Sequence, residues 1–208
     1  MNYTLEQKLD ILLALYITAI MAAELLGSKV TTIMGVSASV GILALPITFT
    51  INDVVAEVAG KARARHFVRT GLMMLVVLLI LTMIALVLPP AARFQASHPA
   101  YLQVFGKSMR IMIASLIAFF LSEMFDVYVY SKIREKLGKK HLWLRNNLSN
   151  FIGQFADTFV FMMLAFYRPG NFWFVISLII PYWLLKCAFS IIETPFTYLG
   201  VAWLKNSK

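Results

Sequence analysis

Seven of the ten carboxylates in this chain of 208 residues lie inside stretches otherwise apolar enough to cross a membrane: Glu24, Asp53, Glu57, Glu123, Asp126, Asp157 and Glu193. A charged side chain at the bilayer centre costs about 3 kcal/mol on insertion scales, and such groups mark pathways, relays or ligand sites. They fall in short polar words. Asn52 and Asp53 precede Glu57, Ser122 and Glu123 precede Asp126, Asn150 and Gln154 precede Asp157, and Ser190 precedes Glu193. Spacings of three and four residues set the members of a word on one helix face. Four helices thus each carry a polar stripe toward a shared interior.

Carboxylates accept hydrogen bonds and attract cations, whereas the amides of Asn52, Asn150 and Gln154 both donate and accept. Phe49, Phe119, Phe120, Phe125, Phe155 and Phe159 lie beside these groups and can flank a flat ring. A guanine-like edge offers two adjacent N–H donors to one carboxylate and a carbonyl to an amide or to Lys186. Metal ions, polyamines and protons suit an acid-rich interior as well. The plainer alternative is interhelical glue, worth about 0.6 to 2 kcal/mol per polar contact. On that reading Glu57 pairs with Lys61 or Arg65, Asp126 with Arg134, and Arg110 and Lys186 each neutralise an acid. Those pairings do not cover Asp53, Glu123, Asp157 and Glu193 together, so a functional interior is expected. No P-loop, His-Glu-x-x-His, Gly-x-Ser-x-Gly or Gly-x-Gly-Asp word occurs. The chain reads as no enzyme and calls for no cofactor and no metal. A membrane scaffold without a saturable ligand is the rival outside transport.

The elements that must position these groups follow from composition. Hydrophobic residues make up 60% and charged residues 14%, against about 25% charged in soluble domains. Apolar segments run over 9–26, 36–59, 70–88, 108–130, 147–167 and 172–201, each able to span about 30 Å of hydrocarbon as a helix. The expected fold is all-α: one polytopic membrane domain, residues 1–208, of six transmembrane helices in the lipid bilayer. The net charge of +9 sits in short loops, which argues for orientation rather than nucleic acid. With the N-terminus inside, 13 of the 19 cations face the cytoplasm, which sets both termini there. Trp143, Tyr167, Trp173, Tyr198 and Trp203 stand near helix ends as interfacial belts. Pro89 and Pro90 end the third helix and open a long outer loop, 89–107, with a short interfacial helix expected around 101–105. Gly41 and Pro46 interrupt the second span, and Pro181 and Pro195 the sixth, as kinks or as breaks. His66, His98 and His141 read as solvated, Cys187 as a packing residue, and the first span as no signal peptide.

Three longer words carry a resemblance. They are Ile51-Asn-Asp53-Val-Val-Ala-Glu57-Val-Ala-Gly60-Lys61-Ala-Arg63, then Ala118-Phe-Phe-Leu-Ser122-Glu-Met-Phe-Asp126, then Trp143-Leu-Arg145-Asn-Asn-Leu-Ser149 followed by Gln154-Phe-Ala-Asp157-Thr158. In this order they resemble the VUT family of queuosine precursor transporters, with Glu123 where the family has Gln and Asn150 where it has Thr. The resemblance implies import of 7-cyano- and 7-aminomethyl-7-deazaguanine across the bacterial inner membrane. It also implies a six-helix fold similar to the substrate-binding subunits of energy-coupling-factor importers. Asp53, Glu57, Gln154 and Asp157 match the family's polar positions and become the first binding candidates. They are joined by Asn52, Glu123, Asp126, Asn150, Lys186, Glu193, Phe49 and Phe119. In the mechanism so implied, Asp157 or Asp53 reads the amidine-like edge of a small deazapurine, and Lys186 or Gln154 its carbonyl. A carboxylate in low dielectric holds its proton more tightly, so protons are the expected coupling ion of a stand-alone secondary transporter. The alternative is a binding subunit that docks on separate ATPases, for which Ala19 and Ala23 offer a small-residue face. A homodimer stays open.

Overall fold

The structure, a computed structural model, describes residues 3–33, 35–137 and 142–206. Side chains at 123–124, 126–131, 133–150 and 190–191 lie outside that description. The chain divides into two compact units, one formed by Met1–Met109 and Leu185–Lys208, the other by Arg110–Leu184.

In the first unit, helix α1 (Leu5–Leu26) opens with a capping box. Thr4 Oγ1 accepts from the Gln7 amide, and the Gln7 side chain accepts from the Thr4 amide. A cap of this kind is worth about 1 kcal/mol. The far end of α1 leaves carbonyls without intrahelical partners, and side chains and a turn meet them. Ser108 Oγ donates to Leu25 O at 2.9 Å, the Lys29 amide to Leu26 O at 3.1 Å, and Ser39 Oγ to Gly27 O at 2.8 Å.

Ser39 reaches that position because α1 is followed by an antiparallel hairpin, β1 (Val30–Ile33) and β2 (Val36–Ser39), in which Val30 pairs with Ser39. A 3₁₀ turn over Val40–Ala44 leads into helix α2 (Leu45–Ala59), with Pro46 in its first turn where a missing N–H costs nothing. The second span therefore starts as strand and tight turn rather than as helix. Gly41 lies in that turn because it must touch α1: a Cβ there stands 2.5 Å from Ala23 O.

A single residue, Gly60 at φ +86°, joins α2 to α3 (Lys61–Val87). Positive φ at a one-residue corner accounts for the glycine. Helix α3 begins well before the apolar segment, so Lys61, Arg63, Arg65 and Arg69 ride on its first turns. Its later turns leave Val76, Val77, Ile80, Leu81 and Ile84 exposed, as a lipid face requires. After a 3₁₀ turn at Ala92–Phe94, helix α4 (His98–Leu137) runs without a break. The expected interfacial helix at 101–105 is simply its first turns, and the outer loop is correspondingly short.

The core of this unit combines Leu9 and Tyr16 of α1, Ile51, Val54 and Val55 of α2, Ala64 and Phe67 of α3, and Leu204 of α7 (Thr194–Lys205). Lipid tails are as apolar as these side chains, so close packing and hydrogen bonds, not burial from water, hold the helices together. One of those bonds is charge-assisted. Lys8, only 5% exposed, donates from Nζ to Trp203 O at 2.6 Å and lies 5.0 Å from the centroid of the Trp203 ring. It supplies a cation to the C-terminal end of α7, where the helix dipole favours one.

The second unit contains the later part of α4, helix α5 (Leu142–Phe166) and most of α6 (Phe172–Ile192). Ile111 and Ala114 of α4 pack with Phe161, Ala165 and Phe166 of α5. Helix α6 runs through Pro181, whose missing N–H deprives the Ser177 carbonyl of its usual partner. Pro195, by contrast, stands in the first turn of α7 after a turn at Glu193, whose backbone stays in the right-handed helical region, so neither proline breaks the last apolar segment outright.

Among the described residues, five helices are long and apolar enough to cross a membrane: Leu5–Leu26, Val40–Ala59, Lys61–Val87, His98–Ser122 and Phe172–Lys205. Phe151–Phe166 is a shorter apolar helix. The chain is an all-α polytopic membrane bundle with one small hairpin. Gly41→Ala forces the α1 backbone aside and is expected to cost about 1 to 3 kcal/mol. Gly106→Ala, in α4 with open space around it, should gain about 0.5 to 1 kcal/mol from helix propensity. Thermal unfolding of the two variants in detergent measures both.

Candidate functional site

In the first unit the polar word lies on α2. Ile51, Val54 and Val55 turn into the core, which leaves Asn52 and Phe49 half-buried and Asp53 and Glu57 exposed. Asn52 Oδ1 is covered yet has no hydrogen-bond partner among the described residues. Among the described residues Glu57 bonds neither Lys61 nor Arg65, the partners expected near the membrane boundary; the expected pair of Asp126 with Arg134 lies outside the described side chains. The pair that does form is Glu6 with Arg63, 3.1 Å apart and exposed, worth less than about 1 kcal/mol. The acids of α2 are thus not consumed by structure. Lys186 is half-buried in α6, and Glu193 is buried at the α6–α7 turn, where its amide and carbonyl continue the helical bonding through Phe189 and Thr197.

In the second unit Gln154, Asp157 and Thr158 share one stretch of α5. Thr158 is fully buried, and its hydroxyl donates back to Gln154 O at 2.8 Å; Gln154 and Asp157 are half-buried. Phe119 is half-buried on α4, and its carbonyl accepts from Ser122 Oγ at 3.0 Å. Glu123, Asp126 and Asn150 belong to α4 and α5, but their side chains lie outside the described residues. Phe120, 64% exposed, faces outward and does not serve an aromatic wall.

Among the described residues Arg110 pairs with no carboxylate, contrary to the pairing read from the sequence. Its guanidinium donates from Nε to Leu164 O at 2.9 Å and from a terminal nitrogen to Tyr167 O at 2.5 Å. The end of α5 presents unpaired carbonyls and the negative pole of a dipole, and a planar fork satisfies two of them at once. Asn171 completes that end, donating to Phe166 O at 3.1 Å and accepting from the Arg168 amide at 2.7 Å.

Sequence reasoning missed Trp183. Its ring meets Phe151 edge-on at 4.3 Å and Phe155 edge-on at 5.6 Å, one face of α5 that also includes Gln154. The signal was present, since a tryptophan in mid-helix is out of place in an interfacial belt. Two cavities in the first unit lie elsewhere. One of about 610 Å³ is lined by Leu25, Ser28, Lys29, Gln103 and Lys107 among others. One of about 300 Å³ is lined by small and apolar residues of α1 and the 3₁₀ turn. Neither includes the candidate acids. Among the described residues no three His, Cys, Asp or Glu side chains gather closely enough to hold a metal ion.

Residues 39–200 match the family described as "Putative vitamin uptake transporter". A Bacillus subtilis (strain 168) protein named "Probable queuosine precursor transporter" is 33% identical over 193 residues, covering 91% of this chain and 83% of that one. A Haemophilus influenzae protein of the same name is 30% identical over 63% of this chain and 53% of its own length. An Escherichia coli (strain K12) "Queuosine precursor transporter" is 27% identical over 71% and 66% respectively. No solved structure matches the chain.

Replacing Arg110 with Met keeps the stem and removes both bonds to the end of α5. Expected is a loss of about 1 to 3 kcal/mol in stability, measured by thermal unfolding in detergent, with Arg110→Lys recovering only part of it.

Proposed function

The chain belongs to the vitamin uptake transporter family, and from that premise we propose that it imports queuosine precursors, 7-cyano- and 7-aminomethyl-7-deazaguanine, across the bacterial inner membrane. The observation that carries this reading is the alignment of 91% of the chain with a relative of that printed name. The placement of the acids agrees with it. Asp53 and Glu57 stand exposed on an apolar span. Hydrocarbon penalises such a face, so it belongs against a polar passage or a bound solute.

Loop charge supports a cytoplasmic location for both termini. Two ends on one side require an even number of crossings, so α5, 25 residues and roughly 37 Å long, is read as the sixth. No bond of the substrate changes in this scheme. Asp53 or Asp157 accepts the paired N–H donors of the deazaguanine, Gln154 or Lys186 serves its carbonyl, and alternating access moves it inward. A proton bound to a buried carboxylate supplies the coupling, without separate ATPases.

Calorimetric titration of the detergent-purified protein with both deazaguanines and with guanine tests the substrate. Saturable binding that favours the deazaguanines is expected, and Asp53→Asn or Asp157→Asn should weaken it tenfold or more. Unchanged affinity in both variants removes these residues from the site; no binding by a folded wild type removes the substrate. In proteoliposomes, uptake should rise with an imposed inward proton gradient and fall when an ionophore collapses it. Indifference to the gradient ends the proton-coupling claim.

A further inference from the structure

Trp183 holds a donor that the fold does not use. Its Nε1–H is covered by protein, yet has no hydrogen-bond partner among the described residues. A buried donor without a partner costs about 1 to 3 kcal/mol, and such groups in native proteins ask for an explanation. Interfacial anchoring does not supply one. Trp183 stands 11 residues into α6, roughly 16 Å from its start, near the middle of the hydrocarbon. Trp173, near the start of α6 and 79% exposed, is by contrast placed as a belt residue.

The surroundings of the indole have the character of a ligand wall. Phe151 and Phe155 present their rings to it at 70° and 83°, and they are four residues apart, on the same face of α5. Gln154 lies between them in sequence, one residue from Phe155 and three from Asp157. A flat heterocycle carrying a carbonyl would bring an apolar face to the aromatic rings and an acceptor to the indole donor.

We propose that Trp183 is a specificity-determining residue that donates its indole N–H to the six-membered ring carbonyl of the bound deazaguanine. This rests on the substrate reading above and deepens it, since it adds a donor from α6 to the polar groups of α5 in the same unit. The indole has no lone pair to accept with, so Trp183 selects for a carbonyl and against an amino group at that ring position. It thereby separates guanine-like from adenine-like rings. A site built to bond a polar group rejects analogues without it far more strongly than an apolar pocket can.

The test uses Trp183→Phe, which keeps an aromatic ring and removes the donor. Affinities of wild type and variant are compared for 7-cyano-7-deazaguanine and for its 6-thio analogue, whose sulfur is a weaker acceptor on the same ring. The variant should bind the oxo compound about tenfold more weakly and the thio compound almost as the wild type does. Retained thio binding shows that the variant is folded. A second readout needs no variant at this position: in wild type labelled with ¹⁵N-tryptophan, the Trp183 indole resonance, assigned by elimination with Trp143→Phe, Trp173→Phe and Trp203→Phe, should move downfield on addition of the oxo compound. Equal oxo affinity in wild type and Trp183→Phe, or an indole resonance that does not move, overturns the role of Trp183 and leaves the transport reading standing. Failure of the wild type to bind either compound brings down the transport reading, and this inference with it.

Discussion

Hydrocarbon offers no hydrogen bonds, and the arrangement of this molecule follows from that one deficit. Every helix that ends within or near the bilayer leaves carbonyls facing the wrong solvent. Here they are met by side chains chosen for reach. Ser108 and Ser39 serve the end of α1, Arg110 and Asn171 the end of α5, and Lys8 the end of α7. The cations among them are thereby committed to backbone oxygen. Among the described residues Lys8 does not serve as counter-ion for Asp53 or Glu57. Asp53 and Glu57 are not spent on that cation.

The helix that bears Asp53 is also among the most firmly seated. Residues of α2 share a core with α1, α3 and α7, and Val55 and Val54 are almost fully enclosed. Interiors this dense resist small displacements. A carboxylate on such a helix has a fixed position, which suits recognition of a rigid planar solute. The aromatic cluster on α5 and α6 lies beside Pro181, where the helical ladder is already incomplete.

Much of this was legible in the residues, and the part that was not has definable causes. Helical geometry converts the four-residue spacing of Asp53 and Glu57 into a shared direction, but that direction is outward: both are exposed on α2, where the polar words led to the expectation of an interior face. The corner at Gly60 was visible only as part of a motif; its positive φ supplies the reason. The hairpin before α2 escaped notice because its residues, Val36–Ser39, are apolar enough to extend the span by composition alone. Arg110 was misread because charge invites pairing with charge. Only the end of α5, brought to it by folding, shows that carbonyls are its partners. Pro181 and Pro195 differ in position: Pro195 stands in the first turn of α7, where a missing N–H costs little, and Pro181 lies inside α6.

The tie between Lys8 and Trp203 joins residues 195 positions apart, and it sets a schedule for biogenesis. The second unit is continuous in sequence, but the first is assembled from the two ends of the chain. At about 5 to 20 residues per second, α1, α2 and α3 wait roughly 5 to 20 s beyond residue 109 before α7 leaves the ribosome. During that interval the ammonium of Lys8 lacks its carbonyl, and the surfaces of Val54 and Val55 that α7 will cover stay open. Helix α7, made last, is the clasp that completes the first unit.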